Sequence, residues 1–180
     1  SSVTGISFMF SGTALFNGDI SKWDVSSVNN MHGIFWGAAS FNGDISKWDV
    51  SSVTLMEKMF FYATSFNGDI SKWDVSRVTS MSLMFSSAQR FKSDLSKWDV
   101  SSVTSMMGMF REASAFNQDL SKWDVSAVTK MSNMFFGTST FNQKLCGDAW
   151  VKSKADKSDM FEGSLGSISS TACEAANRGH

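Results

Sequence analysis

The sequence predicts an α/β solenoid, a stack of 25-residue units that each run strand, short helix and turn. Three observations carry this expectation. The phrase FNGDISKWDVSSVT recurs almost unchanged, and Phe16, Phe41, Phe66, Phe91, Phe116 and Phe141 mark its period. Trp23, Trp48, Trp73, Trp98 and Trp123 follow the first five of these phenylalanines at a constant spacing. Within each unit the apolar spacing then changes from two to three or four, the step from strand to helix.

Residues 16–40 give the elements in order. Ile20, Trp23 and Val25 fall in an L-x-x-L-x-L pattern. In a strand Trp23 and Val25 share one face, and Lys22, Asp24 and Ser26 take the other. Val28, Met31, Ile34 with Phe35, and Ala38 then mark one side of a short helix. Ser26 or Ser27 supplies an N-cap, and Gly37 and Gly137 lie near the helix ends of their units. Asn17-Gly18-Asp19 reads as the turn into the next strand. One such unit orders too many residues for the apolar surface it hides, so stability must come from stacking.

The string I-S-x-W-D-V-S-x-V-x-x-M-x-x-M-F-x-x-A-x-x-F-N resembles the BspA-like bacterial surface-protein repeat, a short relative of the leucine-rich repeat. The match covers roughly residues 1–145, as five full units with a partial one at each end. The resemblance implies a right-handed, leucine-rich-repeat-like curved solenoid with a parallel sheet on one face and helices on the other. It also implies attachment, adhesion or partner binding at a surface. One departure stands out. The asparagine ladder of ordinary leucine-rich repeats is replaced by Val28, Val53, Val78, Val103 and Val128, which leaves Ser26 and its equivalents to satisfy the turn.

After Phe141 the pattern decays. Gly147-Asp148-Ala149-Trp150 stands where a strand is expected, and Met160-Phe161 arrives one residue late. The expected organisation is therefore a repeat array over 1–145 and a C-terminal cap with a polar tail over 146–180. The chain opens in mid-repeat at Ser1, which suits either a removed leader or a piece of a longer protein. Cys146 and Cys173, the only cysteines, both fall in the cap. They read as a disulfide in an oxidising, extracellular or cell-surface setting, with two free thiols in a reducing compartment as the alternative.

Composition narrows the function. Sixteen basic and seventeen acidic residues leave a net charge of −1, which sets aside nucleic acid and anionic membranes as partners. No apolar run reaches the ~20 residues of a membrane span. The two histidines, His32 and His180, form no catalytic constellation, and two thiolates without histidine make no zinc site. An enzyme, a cofactor and a metal are therefore not expected. What remains is a non-enzymatic protein-interaction or adhesion module, with a protein partner or a glycan or other surface ligand. The alternative is an accessory subunit of a larger assembly.

Two surfaces are candidates. Lys22, Lys47 and Lys72 continue as a column through Lys97 and Lys122, beside a column of Asp24, Asp49 and Asp74 that continues through Asp99 and Asp124. These make either a self-neutralising solvated face or a polar recognition surface. The position after each apolar-Phe pair varies, as Ser11, Trp36, Phe61, Ser86, Arg111 and Phe136. Trp36, Phe61, Tyr62 and Phe136 either pack over helix ends or dock a partner. A threonine column (Thr4, Thr54, Thr79, Thr104 and Thr129) admits a third idea, binding to an ordered ice or mineral surface.

Overall fold

The computed structural model describes residues 4–173. It overturns the expected α/β architecture. Among the described residues the named elements are β1 (Lys144–Leu145), α1 (Asp148–Lys152) and β2 (Ser167–Ile168), all in the last coil. β1 and β2 pair in parallel, with Leu145 opposite Ile168. The repeats themselves are built from consecutive tight turns, with neither the expected helices nor a broad sheet.

Successive coils nevertheless stack one on the next. Single parallel bridges link Gly5 to Asn30, Asn30 to Leu55, Leu55 to Ser80, Ser80 to Ser105 and Ser105 to Lys130. A last bridge joins Lys130 to Asp156. The pairing falls two residues beyond Val28 and its equivalents, inside the segment expected to be helical.

Backbone hydrogen bonds explain why no helix forms there. The N–H groups of Met31, Gly33, Phe35 and Gly37 donate to the next coil, at Leu55, Glu57, Met59 and Phe61. The interleaved N–H groups of Ile34, Trp36 and Ala38 donate three residues back. A helix would consume every one of these donors internally and leave none for stacking. Turns closing every three residues return the chain to the core at Met31, Ile34 and Phe35, and Ala38. That period is close enough to a helix face to imitate one.

The expected strand over Ile20–Val25 is likewise two turns. Trp23 N–H donates to Ile20 and Val28 N–H to Val25. Asp19 and Asp24 accept the N–H groups of Ser21 and Ser26, tying each turn down from outside.

The core is a set of columns through the stack. Phe10, Phe35, Phe60, Phe85, Phe110, Phe135 and Phe161 follow one another with ring centroids 5.4–5.7 Å apart. Phe41, Phe66, Phe91 and Phe116 run beside them, with Phe35 and Phe41 stacked 3.9 Å apart in nearly parallel planes. Trp48, Trp73, Trp98 and Trp123 are buried, and each indole N–H donates to the carbonyl 28 residues earlier. Trp150, carried on α1, does the same to Leu120 across 30 residues. That short helix thus absorbs the change of spacing and keeps the tryptophan column intact.

An asparagine ladder is present after all, in a different place from the valine positions. Asn17, Asn42 and Asn67 each offer Oδ1 to the N–H of the residue 25 ahead, as does Asn117. Lys92 interrupts it.

Candidate interaction surface

The left-handed residues of the chain organise the variable surface. Among the described residues every non-glycine with positive φ lies in one of two columns. The first runs Phe8, Gly33, Lys58, Leu83, Gly108, Asn133 and Asp159, and the second runs Gly12, Gly37, Tyr62, Ser87, Glu112, Gly137 and Gly163. Left-handed backbone favours glycine, and a bulky residue there is strained. In the second column glycine holds both ends, while Tyr62, Ser87 and Glu112 occupy three consecutive coils.

Around this column the structure gathers the aromatic candidates. Trp36 and Phe61 lie 5.5 Å apart, and Phe61 meets Tyr62 edge-on at 4.6 Å. The Lys58 ammonium sits 4.9 Å from the centre of the Trp36 ring. Trp36, Phe61 and Phe136 are half-buried, whereas Tyr62 is 49 % exposed. Phe136 is apart from this group, under the Arg111 guanidinium at 4.8 Å.

Between Tyr62 and Arg111 the surface drops. Ser86 and Ser87 stand where the preceding coil has Phe61 and Tyr62 and the following coil has Arg111 and Glu112, and the notch measures about 280 Å³. Ser87 donates to Glu112 Oε2 at 3.1 Å, and Arg111 lies 3.5 Å from Glu112 Oε1. Ser86 is 1 % exposed, and its hydroxyl has no hydrogen-bond partner among the described residues. No fully enclosed side-chain polar atom among them lacks a partner, so that hydroxyl opens to the notch.

A second, wider groove adjoins this one through Leu83. Its wall is a hydrogen-bonded file: Ser80 donates to Glu57 at 2.6 Å, Ser82 and Ser105 share a bond of 2.7 Å, and His32 Nδ1 lies 3.5 Å from Glu57. Sequence reasoning missed Ser87, Glu112 and Leu83. The available signal was the glycine at 12, 37 and 137, whose absence at 62, 87 and 112 marks the exception.

The charged columns are placed differently from the strand expectation. Lys22, Lys47 and Lys72 and Asp24, Asp49 and Asp74 are all exposed, but they sit on turns. Asp24, Asp49 and Asp74 each accept the N–H and the hydroxyl of the serine two residues on. Among the described residues no lysine of this column comes within ion-pair distance of a carboxylate; the pairs present are His32–Glu57, Arg111–Glu112 and Lys152–Asp148. The serine hydroxyl, then its N–H, hold the Asp24 and Asp49 carboxyls below their ordinary range. Lys22 and Lys47 act on the other acidic column, helping to lower Asp19 and Asp44.

The threonine hydroxyls are spent within the stack. Thr54, Thr79, Thr104 and Thr129 each donate to the carbonyl 25 residues earlier, at 3.1–3.2 Å. Cys146 and Cys173 form a disulfide. His180 lies outside the described residues. No group of His, Cys, Asp and Glu side chains among the described residues is arranged to hold a metal ion, and no helix among them is long and apolar enough to cross a membrane.

A family described as "Mycoplasma protein of unknown function, DUF285" matches residues 1–95 and again 68–171. The chain belongs to the DUF285 family. The two DUF285 matches overlap over residues 68–95, as the 25-residue repeat allows. No curated protein and no solved structure matches this DUF285 chain.

Proposed function

We propose that the chain is a non-enzymatic interaction module of BspA-like type, secreted or displayed at a cell surface. Its partner docks on the strip where the coils differ. The observation that carries this reading is the cluster of Trp36, Phe61 and half-exposed Tyr62 on neighbouring coils of an otherwise uniform stack. Large aromatics beside arginine are the residues that anchor interfaces. The disulfide supports an oxidising location. The recurrence of Trp-Asp-Val and Met-Phe in register supports the BspA-like assignment.

The test is capture of surface material by the immobilised chain, followed by crosslinking and comparison of variants. Phe61→Ala and Trp36→Ala should abolish capture, and Lys47→Ala with Lys72→Ala should leave it. Capture that ignores both aromatic substitutions and follows the lysines would move the interface to the charged columns and overturn the reading.

A further inference from the structure

We propose that the notch over Ser86 and Ser87 is a binding slot for one ring of a neutral saccharide. The inference rests on the reading of this strip as an interaction surface and adds the chemistry of what it binds. Three independent features of the slot point the same way.

The first is shape. Phe61 and Tyr62 form one wall, Ser86 and Ser87 the floor, and Arg111 and Glu112 the other wall, on three successive coils. The walls are two coil steps apart, about 10 Å between backbones at ordinary strand spacing. After side-chain thickness is allowed for, that leaves room for a single flat ring. The slot exists only because small serines replace the bulky residues that neighbouring coils carry at the same positions.

The second is polarity. One wall is aromatic and suits the C–H face of a pyranose. The opposite wall offers a guanidinium and a carboxylate 3.5 Å apart, so donors and acceptors stand side by side with no net charge. Vicinal hydroxyls, which both donate and accept, match that pair; an anionic or cationic ligand would not. The floor presents the Ser86 hydroxyl, nearly buried and without a protein partner. A partner's aromatic side chain would fit the width but would seal that hydroxyl away from water unbonded, a recognised cost. A sugar hydroxyl satisfies it.

The third is conformational cost. Tyr62, Ser87 and Glu112 all hold left-handed backbone where the same column elsewhere uses Gly12, Gly37, Gly137 and Gly163. Within this column the strained residues fall on three consecutive coils, and strain gathered in this way is a mark of function. Each of the three side chains lines the slot. Glycine would be the better residue for the fold, and the slot is what its replacement creates.

The experiment is saturation-transfer NMR on the intact chain with neutral tetrasaccharides of β-glucose, N-acetylglucosamine and mannose, and with tetragalacturonate, charged on every ring, as the anionic comparison. At least one neutral probe should receive saturation on its ring protons, and tetragalacturonate should not. Tyr62→Gly should weaken that binding at least about tenfold while leaving the melting temperature equal or higher, because it removes a wall and relieves the backbone together. Ser86→Phe should block the slot, with the melting temperature recorded to verify folding. No transfer to any neutral probe, binding indifferent to Tyr62→Gly, or preference for the anionic probe each overturns the proposal. If captured protein depends on Tyr62 while no saccharide binds, the saccharide is excluded and the interaction surface stands. If neither depends on the strip, both fall.

Discussion

The indole N–H of Trp98 donates to the carbonyl of Ile70 at 3.0 Å, reaching back 28 residues. The same carbonyl accepts the N–H of Trp73 within its own turn. One oxygen thus closes a turn in one coil and anchors the next coil upon it. Because the indole is buried at 4 % exposure, its N–H has no access to water as a substitute partner.

Trp98→Phe should therefore cost more than the change in ring size. The substitution leaves a void where the larger indole lay and deletes a buried hydrogen bond, a loss of about 1–3 kcal/mol in all. Urea unfolding at neutral pH measures it. A loss near zero would mean that neither the indole hydrogen bond nor the added bulk of the tryptophan holds the coils together.

Lys92 offers the opposite test. Asn42, Asn67 and Asn117 pass a hydrogen bond along the stack, but Lys92 has no oxygen to offer the N–H of Asn117. Gln118 reaches back to the Lys92 carbonyl instead. Lys92→Asn should complete the ladder and stabilise the chain by about 1 kcal/mol, the ordinary net value of one bond. Asn67→Ala, which removes a rung, should destabilise by a similar amount. Melting temperatures of the two variants should move in opposite directions, and a shared direction would refute a ladder role.

Acid should weaken the stack through its turns. Asp19, Asp24, Asp44, Asp49, Asp69, Asp99, Asp124 and Asp156 are held below their ordinary range, first by the hydroxyl and then by the N–H of the serine two residues on. At Asp94 the Ser96 N–H leads and the hydroxyl follows. A carboxylate lowered by folding contributes stability that is fully present above its unfolded pKa, near ~3.9. That stability is lost as pH falls through the lower folded value. Stability should thus be flat through these groups above about pH 5 and decline progressively below about pH 4. Ser51→Ala and Ser101→Ala together should shallow that decline. All nine groups are solvent-exposed, so salt and water temper each one, and the effect is read as a slope in denaturant midpoint against pH.

How much of this was legible in the sequence depends on which atoms carry the information. Side-chain identity carries the core: the phenylalanine and tryptophan repeats mark the columns that the structure buries, except at the first coil, where Trp23 is exposed. Side-chain identity does not carry the backbone path. Val28, Met31, Ile34 with Phe35, and Ala38 satisfy a helix and a run of three-residue turns equally well, because both return to the same face at nearly the same spacing. What separates them is the left-handed residue every fourth position. Gly33 and Gly37 disclose it in one coil, but Lys58 and Tyr62, then Leu83 and Ser87, hide it in the next two. The asparagine ladder escaped for a related reason. Asn17 reads locally as a turn residue, and its bond to Asn42 exists only once coils are stacked. The aromatic strip was legible as variation, while the notch beside it needed three coils seen together.

The disulfide gives a final prediction, and its reach should be local. Cys146 and Cys173 are 27 residues apart, and the Cys173 N–H donates to the Cys146 carbonyl at 2.6 Å. Cys146 also lies over Ser121, whose hydroxyl accepts its N–H at 3.3 Å. The bridge thus closes the last coil, the one containing β1, α1 and β2, against the coil below. A loop of that length confers about 3–4 kcal/mol on the chain-entropy account. In a linear stack each coil touches only its neighbours, so loosening the last one should not melt the first. Cys146→Ser with Cys173→Ser should raise amide exchange at Trp150, Met160 and Ser169 by orders of magnitude. Exchange at Met56, Phe60 and Phe85 should change little. Uniform acceleration along the chain would show instead that the coils unfold as one cooperative body and that the bridge stabilises all of it.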